Sequence, residues 1–301
     1  MADSKMKCGV IYIVTQNPKY VDLLLSSSRS LKAAMPDLPI TVFSQFPVSS
    51  PNIDRVILVT PTSDAFYDKT RLMLESPYER TLFIDADTFV LGPVPELFTL
   101  LDRFDCAATH EEYVNTDWFK RCPQHDIPAS FPEFNTGILV FRRSDAMNGV
   151  LQNWRDLYQD YLRSHPSEPV NDQPFFRAAA YYSDTRIATL TREYNCKFRG
   201  QGYLNGHVKI LHGHVNFQIR PAHIAKAARV LNSSDRPRVY VAGKVYEQRV
   251  VGRLVGHRKA HKVGSFPELP ESVLRMRARR LKQVIKEQGL GGTLARIFAT
   301  Q

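Results

Sequence analysis

Arg80-Thr81-Leu82-Phe83-Ile84-Asp85-Ala86-Asp87-Thr88-Phe89-Val90-Leu91 starts as a buried strand and then turns to charge. Leu82, Phe83 and Ile84 form an apolar run without a turn residue, the pattern of a strand covered on both faces. Two carboxylates follow, separated by one small residue. Side chains at i and i+2 of an extended chain point the same way, so Asp85 and Asp87 are expected to aim at one point, with Ala86 leaving room beside it. Two like charges that close repel and lose hydration, and a fold keeps them only with compensation. A divalent cation is the natural compensator, and hard oxygen ligands at a strand end suit Mg²⁺ or Mn²⁺. The plainer alternative is a solvated strand end with one Asp capping the next turn. Context favours the first reading, because ligands of α/β sheets gather at the carboxyl ends of strands.

Working outward, strands alternate with helices, which predicts an α/β domain with a mostly parallel central sheet flanked by helices. Upstream, Gly9 to Thr15 reads as a strand, followed by a helix carrying Val21, Leu24, Leu25, Ser28 and Leu31 on one face and stopped by Pro36. Strands at Pro39 to Ser44 and Arg55 to Thr60 and a helix at Phe66 to Glu75 lead into the Asp-Ala-Asp strand. No G-x-G-x-x-G follows the first strand, so this is not a dinucleotide fingerprint. Downstream, a short helix at Pro95 to Arg103 and a strand at Cys106 to Thr109 precede a long polar, aromatic connection, His110 to Pro132. Long connections often form lids or acceptor walls, and Glu111, Tyr113, Asp117 and Trp118 are its candidates for sugar contact. Asn135 to Phe141 is a strand whose Asn-Thr-Gly opening offers amide and hydroxyl donors beside a glycine that lets a ligand approach the backbone, and Asp145 is expected to cap a helix reaching Arg163. Asn171-Asp172-Gln173 opens a further helix, where capping alone would explain Asp172. Val208 to Leu211 reads as a last sheet strand that ends in His212-Gly213-His214.

The 301 residues are enough for one large α/β domain and an appendage. No run of about 18 apolar residues is present, and Met1 to Lys7 lacks the apolar core of a signal peptide. Cys8, Cys106, Cys122 and Cys196 show no C-x-x-C spacing and no Cys/His cluster, which suggests a reducing cytosol and no structural zinc. The net charge of +10 has its excess downstream of residue 220. A basic balance can mean nucleic acid, anionic membrane or acidic substrate; no zinc finger, RRM signature or heptad-linked basic region appears, so no nucleic-acid partner is expected.

Lys69-Thr70-Arg71-Leu72, Tyr78, Leu82 to Thr88, Val94-Pro95-Glu96-Leu97-Phe98, Phe134 to Val140, Asn171-Asp172-Gln173 and Ile210-Leu211-His212-Gly213 recur in one order. That ordered set resembles the glycogenin-like retaining glycosyltransferases of family eight, nucleotide-sugar transferases of the GT-A fold, over roughly the first two-thirds of the chain. The resemblance implies Asp85, Asp87 and His212 as metal ligands, with His214 as the rival to His212. It implies Thr15 and Tyr20 at the nucleotide base, Lys69 near the donor phosphates, Asn135 on the donor sugar, and Asp172 with Gln173 beside the anomeric carbon. Two carboxylates with an imidazole suit Mn²⁺ better than Mg²⁺. The family's Lys-Pro-Trp diphosphate clamp is replaced here by Arg220-Pro221, with Arg220 as the substitute clamp.

The expected division is a GT-A-like domain over 1–220 and a basic, mainly helical extension over 221–301. In the extension, His223 to Leu231 reads as a helix, Arg238 to Val251 as one or two short strands, and Leu269 to Gln288 and Gly292 to Phe298 as helices. Val273, Leu274, Leu281, Val284 and Ile285 face away from many Arg and Lys. Such an element either packs on the catalytic domain or lies on an anionic membrane. The expected activity is metal-dependent transfer of a sugar, from a UDP-sugar in preference, to a glycan, glycolipid or other hydroxyl acceptor by a cytoplasmic or peripheral enzyme. An inverting transferase with Asp172 or Glu111 as base, and a non-catalytic glycan-binding module, are the rivals.

Overall fold

A computed structural model describes residues 6–112, 126–166, 170–213, 221–247 and 261–265. Its centre is a seven-stranded sheet in the order β3-β2-β1-β4-β7-β6-β8. The strands are β1 (Met6–Val14), β2 (Ile40–Ser44), β3 (Arg55–Leu58), β4 (Tyr78–Ile84), β6 (Cys106–His110), β7 (Phe134–Arg142) and β8 (Ile187–Leu190), with β5 (Thr88–Val90) lying outside this sheet. β1 pairs in parallel with β2 and β4, β2 with β3, and β6 with β8, while β7 runs antiparallel between β4 and β6. The sheet is thus mostly parallel, and helices cover it: α1 (Lys19–Ala34), α2 (Ala65–Met73), α3 (Glu96–Leu100), α4 (Asp145–Ser164) and α5 (Gln173–Tyr181).

Two apolar layers form, one on each face. Leu82 and Ile84 of β4 sit in the layer with Leu24 and Leu31 of α1, and Phe83 sits in the layer with Trp154 of α4 and Phe175 of α5. The alternation along β4 explains the continuous apolar run, since both faces are buried. The inner face of α1 is less apolar than its pattern suggests. Ser27, Ser28 and Ser30 are buried there. Ser27 Oγ bonds Thr88 Oγ1 at 2.8 Å, and Ser30 Oγ accepts from Val90 N at 2.9 Å. These hydroxyls serve the backbone and side chains of β5, a strand too short to pair on both edges.

Two local expectations are corrected. Ser144, not Asp145, caps α4, its Oγ accepting from Met147 N. The strand expected at Val208 to Leu211 is β11 (Ile210–His212), and it belongs to a separate three-stranded sheet between β5 and β9 (Cys196–Lys197) rather than to the main sheet. β11 runs antiparallel to β5 with His212 opposite Thr88. A third sheet joins β10 (Gln201–Leu204) to β12 (Arg238–Val241), β13 (Lys244–Glu247) and β14 (His261–Ser265).

The expected boundary at residue 220 falls inside a shared core. Cys196, Phe198, Leu204, Val208 and Leu211 pack with Ile224, Ala227 and Leu231 of α6 (Pro221–Leu231) and with Tyr240 and Val245. Arg238 crosses the same line. It is fully buried, and its guanidinium donates to the carbonyls of Leu231, Arg236 and Gly206. Among the described residues no helix is long and apolar enough to cross a membrane. The expected tail helices, the Arg275, Arg277, Arg279 and Arg280 cluster, and Cys122 lie outside the described residues.

Replacing Arg238 with Leu should leave three carbonyls without their donor, that of Leu231 buried and those of Arg236 and Gly206 partly so, and cost about 2–4 kcal/mol. Urea denaturation monitored by fluorescence measures this; an unchanged midpoint would show that the bridge contributes nothing to stability.

Candidate active site

β1 and β4 are parallel, and β7 begins where β4 ends, so three strand ends meet at one edge of the sheet. Asp85 N donates to Gly137 O at 2.8 Å, extending the β4–β7 ladder one step past Ile84. Asp85 to Asp87 then form a turn, not the extended strand that the i, i+2 argument assumes. Thr88 Oγ1 closes that turn on Asp85 O at 2.8 Å. The carboxylates still converge, but the turn and the neighbouring β11 bring them together. Gly213 N donates to Asp87 O, and His212 Nε2 lies 3.6 Å from Asp85 Oδ2 and 3.5 Å from Asp87 Oδ1. One ligand atom from each of Asp85, Asp87 and His212 falls within 4.8 Å of the others.

The space beside these atoms is made by Gly137, not by Ala86. Ala86 is buried in the core layer below. A Cβ at position 137 would fall 2.3 Å from His212 Cε1 and 2.5 Å from Asp85 Oδ2. The donor set, two hard oxygens and one imidazole nitrogen, fits Mn²⁺ or Mg²⁺. Without a cation the charge balance falls to His212. Burial disfavours its charged form, but Asp87 and Asp85 outweigh burial and raise its pKa to about 9.

A second charged group lies directly behind. Lys69 of α2 is buried, with its Nζ 2.9 Å from Thr136 Oγ1, 3.3 Å from Asp172 Oδ2 and 3.9 Å from Asp85 Oδ1. The rings of Phe83 and Trp154 flank the ammonium at 5.2 and 5.8 Å. Asp172 precedes α5 yet makes no capping bond with its side chain; Asn171 Oδ1 accepts from Gln173 N instead. The Asp172 carboxylate faces inward and accepts from Thr136 Oγ1 at 2.9 Å. Burial pushes its pKa up against the pull of Lys69. Lys69 is therefore an internal counter-ion that bridges Asp85 and Asp172.

A third group surrounds the sugar candidates. Asn135 Nδ2 donates to Gln173 Oε1 and to Glu111 Oε2, each at 2.9 Å. Gln173 Nε2 donates to Glu111 Oε2 at 3.0 Å and Glu133 Oε1 at 2.8 Å. Lys197 Nζ holds both Glu111 oxygens. Burial opposes ionisation of Glu111, but Lys197 and the amide donors prevail and lower its pKa to about 2. Glu133 behaves in the opposite way. Burial raises it to about 7, and its Oε2 has no hydrogen-bond partner among the described residues.

Tyr20 is partly exposed at the start of α1. Its phenol is pushed up, first by burial and then by the Asp87 and Asp85 carboxylates. Thr15 is buried at the end of β1. Arg220, His214, Tyr113, Asp117 and Trp118 lie outside the described residues. Asn195 and Glu133 had no sequence signal: Asn195 follows a 3-10 turn, Arg192–Tyr194, in an aperiodic stretch. Thr136, expected as a hydroxyl donor of the Asn-Thr-Gly opening, donates to Asp172, and Lys197 carries no mark beyond its charge.

The His212 shift has a definite sign. Its folded pKa lies above the ordinary 6.5, so its stabilising contribution is complete below about pH 6.5 and is lost as pH rises through about 9. A bound cation needs the neutral imidazole, so Mn²⁺ affinity should rise over that same window. Gly137→Ala should weaken Mn²⁺ by about tenfold or more at any pH in it. Calorimetric titration between pH 6.5 and 9 checks both; equal affinity in Gly137→Ala would place the cation elsewhere.

The sequence profile described as Glycosyl transferase family 8 matches residues 60–219. A search of curated proteins returns no match. Among solved structures, the galactosyltransferase LgtC, in complex with donor and acceptor sugar analogues, is 15% identical with a TM-score of 0.43, the match covering 62% of this chain and 74% of that one. Mouse xyloside xylosyltransferase 1 in its apo form is 14% identical with a TM-score of 0.47, covering 71% and 100%. The glycosyltransferase GlyE of Streptococcus pneumoniae is 15% identical with a TM-score of 0.43, covering 64% and 47%.

Proposed function

The chain belongs to glycosyl transferase family 8 and is a glycosyltransferase; from that premise we propose that it moves a sugar from a nucleotide-diphosphate donor, a UDP-sugar in preference, to a hydroxyl of a glycan or glycolipid with retention of configuration. The observation that carries this reading is the convergence of Asp85, Asp87 and His212 beside the buried Lys69–Asp172 pair. A divalent cation held by those three residues, Mn²⁺ in preference, would supply Lewis-acid stabilisation of the diphosphate leaving group.

The chain's own residues account for the rest. Lys69 keeps Asp172 beside the acidic pair, where a carboxylate stabilises positive charge on the anomeric carbon. Asn135 and Gln173 offer amides to donor hydroxyls from a rigid strand start and helix start. Tyr20 and Thr15 receive the base, and Arg220 contributes positive charge toward the diphosphate. In the transfer, the acceptor oxygen bonds to the anomeric carbon, the bond to the phosphate breaks on the same face, and the acceptor proton passes to the leaving phosphate. No protein base is then needed.

The inverting alternative has little support from the described groups. Glu111 at about 2 is too weak a base, being held by Lys197 and two amides. Asp172 is buried and already occupied by Thr136 and Lys69. Attachment to an anionic membrane surface through residues 269–301 belongs to the same proposal. It rests on the sequence of Arg275, Arg277, Arg279 and Arg280, and co-sedimentation of the full chain with anionic liposomes at low salt tests it.

Asp87→Asn should lower Mn²⁺-dependent release of UDP from a UDP-sugar panel by about a hundredfold or more. His212→Ala should raise the Mn²⁺ requirement far more than His214→Ala. Wild-type turnover by Asp87→Asn would remove the metal from the reaction, and a larger loss in His214→Ala would transfer the third ligand to that residue.

A further inference from the structure

Asn195 takes no part in the family-derived assignment, yet it is buried between two of the groups that do. Its Oδ1 lies 2.8 Å from His212 Nδ1, and its Nδ2 donates to Asn135 Oδ1 at 2.9 Å. Oxygen and nitrogen of a side-chain amide are told apart only by their partners. Here the partners decide every one. Gly137 N is a backbone donor, and it donates to Asn135 Oδ1 at 3.1 Å. That atom is therefore the oxygen of Asn135. It can accept from Asn195 only an N–H, which fixes the second amide. The remaining atom of Asn195 is then an acceptor, so His212 must carry a proton on Nδ1. In the neutral ring Nε2, which faces Asp85 and Asp87, is then the nitrogen left with the lone pair that a cation requires.

The same logic runs the other way. Asn135 Nδ2 donates to Gln173 Oε1, and Gln173 Nε2 donates to the carboxylate of Glu111. Donors thus run in one direction, from the imidazole through Asn195, Asn135 and Gln173 to an acidic acceptor. Reversing any amide would face donor against donor or acceptor against acceptor at both ends, at a cost of about 1–3 kcal/mol for each buried group left unpaired.

We propose that Asn195 is a positioning residue of this site: held in one orientation by Asn135, it sets the His212 tautomer for metal binding. The proposal rests on the reading of His212 as a ligand, and it ties the metal half of the site to the sugar half by one oriented chain of hydrogen bonds.

The two ends separate by substitution. Asn195→Ala removes both links. Asn195→Asp is isosteric, still accepts from His212 Nδ1–H, and has no donor for Asn135. Full-length protein is titrated with Mn²⁺ alone. Asn195→Ala should bind about tenfold or more weakly, and Asn195→Asp should return to within about threefold of wild type. The metal-free proteins are then compared by nitrogen-15 NMR. The hydrogen-bonded Nδ1 proton of His212 should persist in wild type and Asn195→Asp and vanish in Asn195→Ala.

Wild-type Mn²⁺ affinity in Asn195→Ala, or loss of the His212 Nδ1 proton in Asn195→Asp, would overturn the proposal. Wild-type protein that ignores Mn²⁺ while its Nδ1 proton still depends on Asn195 would instead sink the metal reading and leave the positioning role intact. Should Asn195→Ala not fold, Asn195→Asp decides alone, since loss of the His212 Nδ1 proton in it refutes the anchor.

Discussion

The pairing of β4 with β7 is the constraint on which the site depends. Its last rung, Asp85 N to Gly137 O, aligns an acidic turn with the Asn135-Thr136-Gly137 strand start. Both strands are buried on both faces, so their register is locked by packing above and below; a slip of one residue would turn Phe83 and Leu82 into the wrong layers. That register sets Gly137 against Asp85 and His212, where no side chain fits. It also sets Thr136 between Lys69 and Asp172.

Charge is the second constraint. Asp85, Asp87 and Asp172 are three carboxylates in or near a buried wall, and like charges so placed cost stability unless balanced. Two cationic groups do the balancing from opposite sides, Lys69 from α2 and His212 from β11. The two differ in kind. Lys69 is enclosed by two aromatic rings and stays as permanent framework. His212 is charged only while the proton remains, so a divalent cation can take its place. A site with one fixed and one exchangeable counter-charge is suited to binding a metal together with a charged substrate and releasing them again.

The strand that supplies His212 depends on parts of the chain far from the acidic turn. β11 is held by β5 on one edge and β9 on the other, and its Leu211 packs in the core shared with α6, Tyr240 and Val245. Asn195 is delivered from the same region. Residues within 221–247 thus help to hold the strand that carries His212.

Local physics made much of this protein legible in its sequence. Apolar runs marked β1, β4 and β7, because strands buried on both faces need continuous hydrophobic side chains whatever lies around them. Asp-Ala-Asp after such a run declared itself because closely spaced carboxylates beside a core strand are costly without a purpose, whereas Asn-Asp-Gln stood out only through the resemblance to family eight, since capping alone would explain it. What tertiary structure alone decided was who stands next to whom. The role of Asp172 turned on Lys69, about a hundred residues away, and not on the helix it precedes. Glu111 became a weak base through Lys197, and the room for a ligand came from Gly137 rather than Ala86. Asn195 had no periodicity or motif to mark it, because an amide's function lies in its partners, and hydrogen-bond partners are set by distance in space, which one-dimensional spacing does not contain.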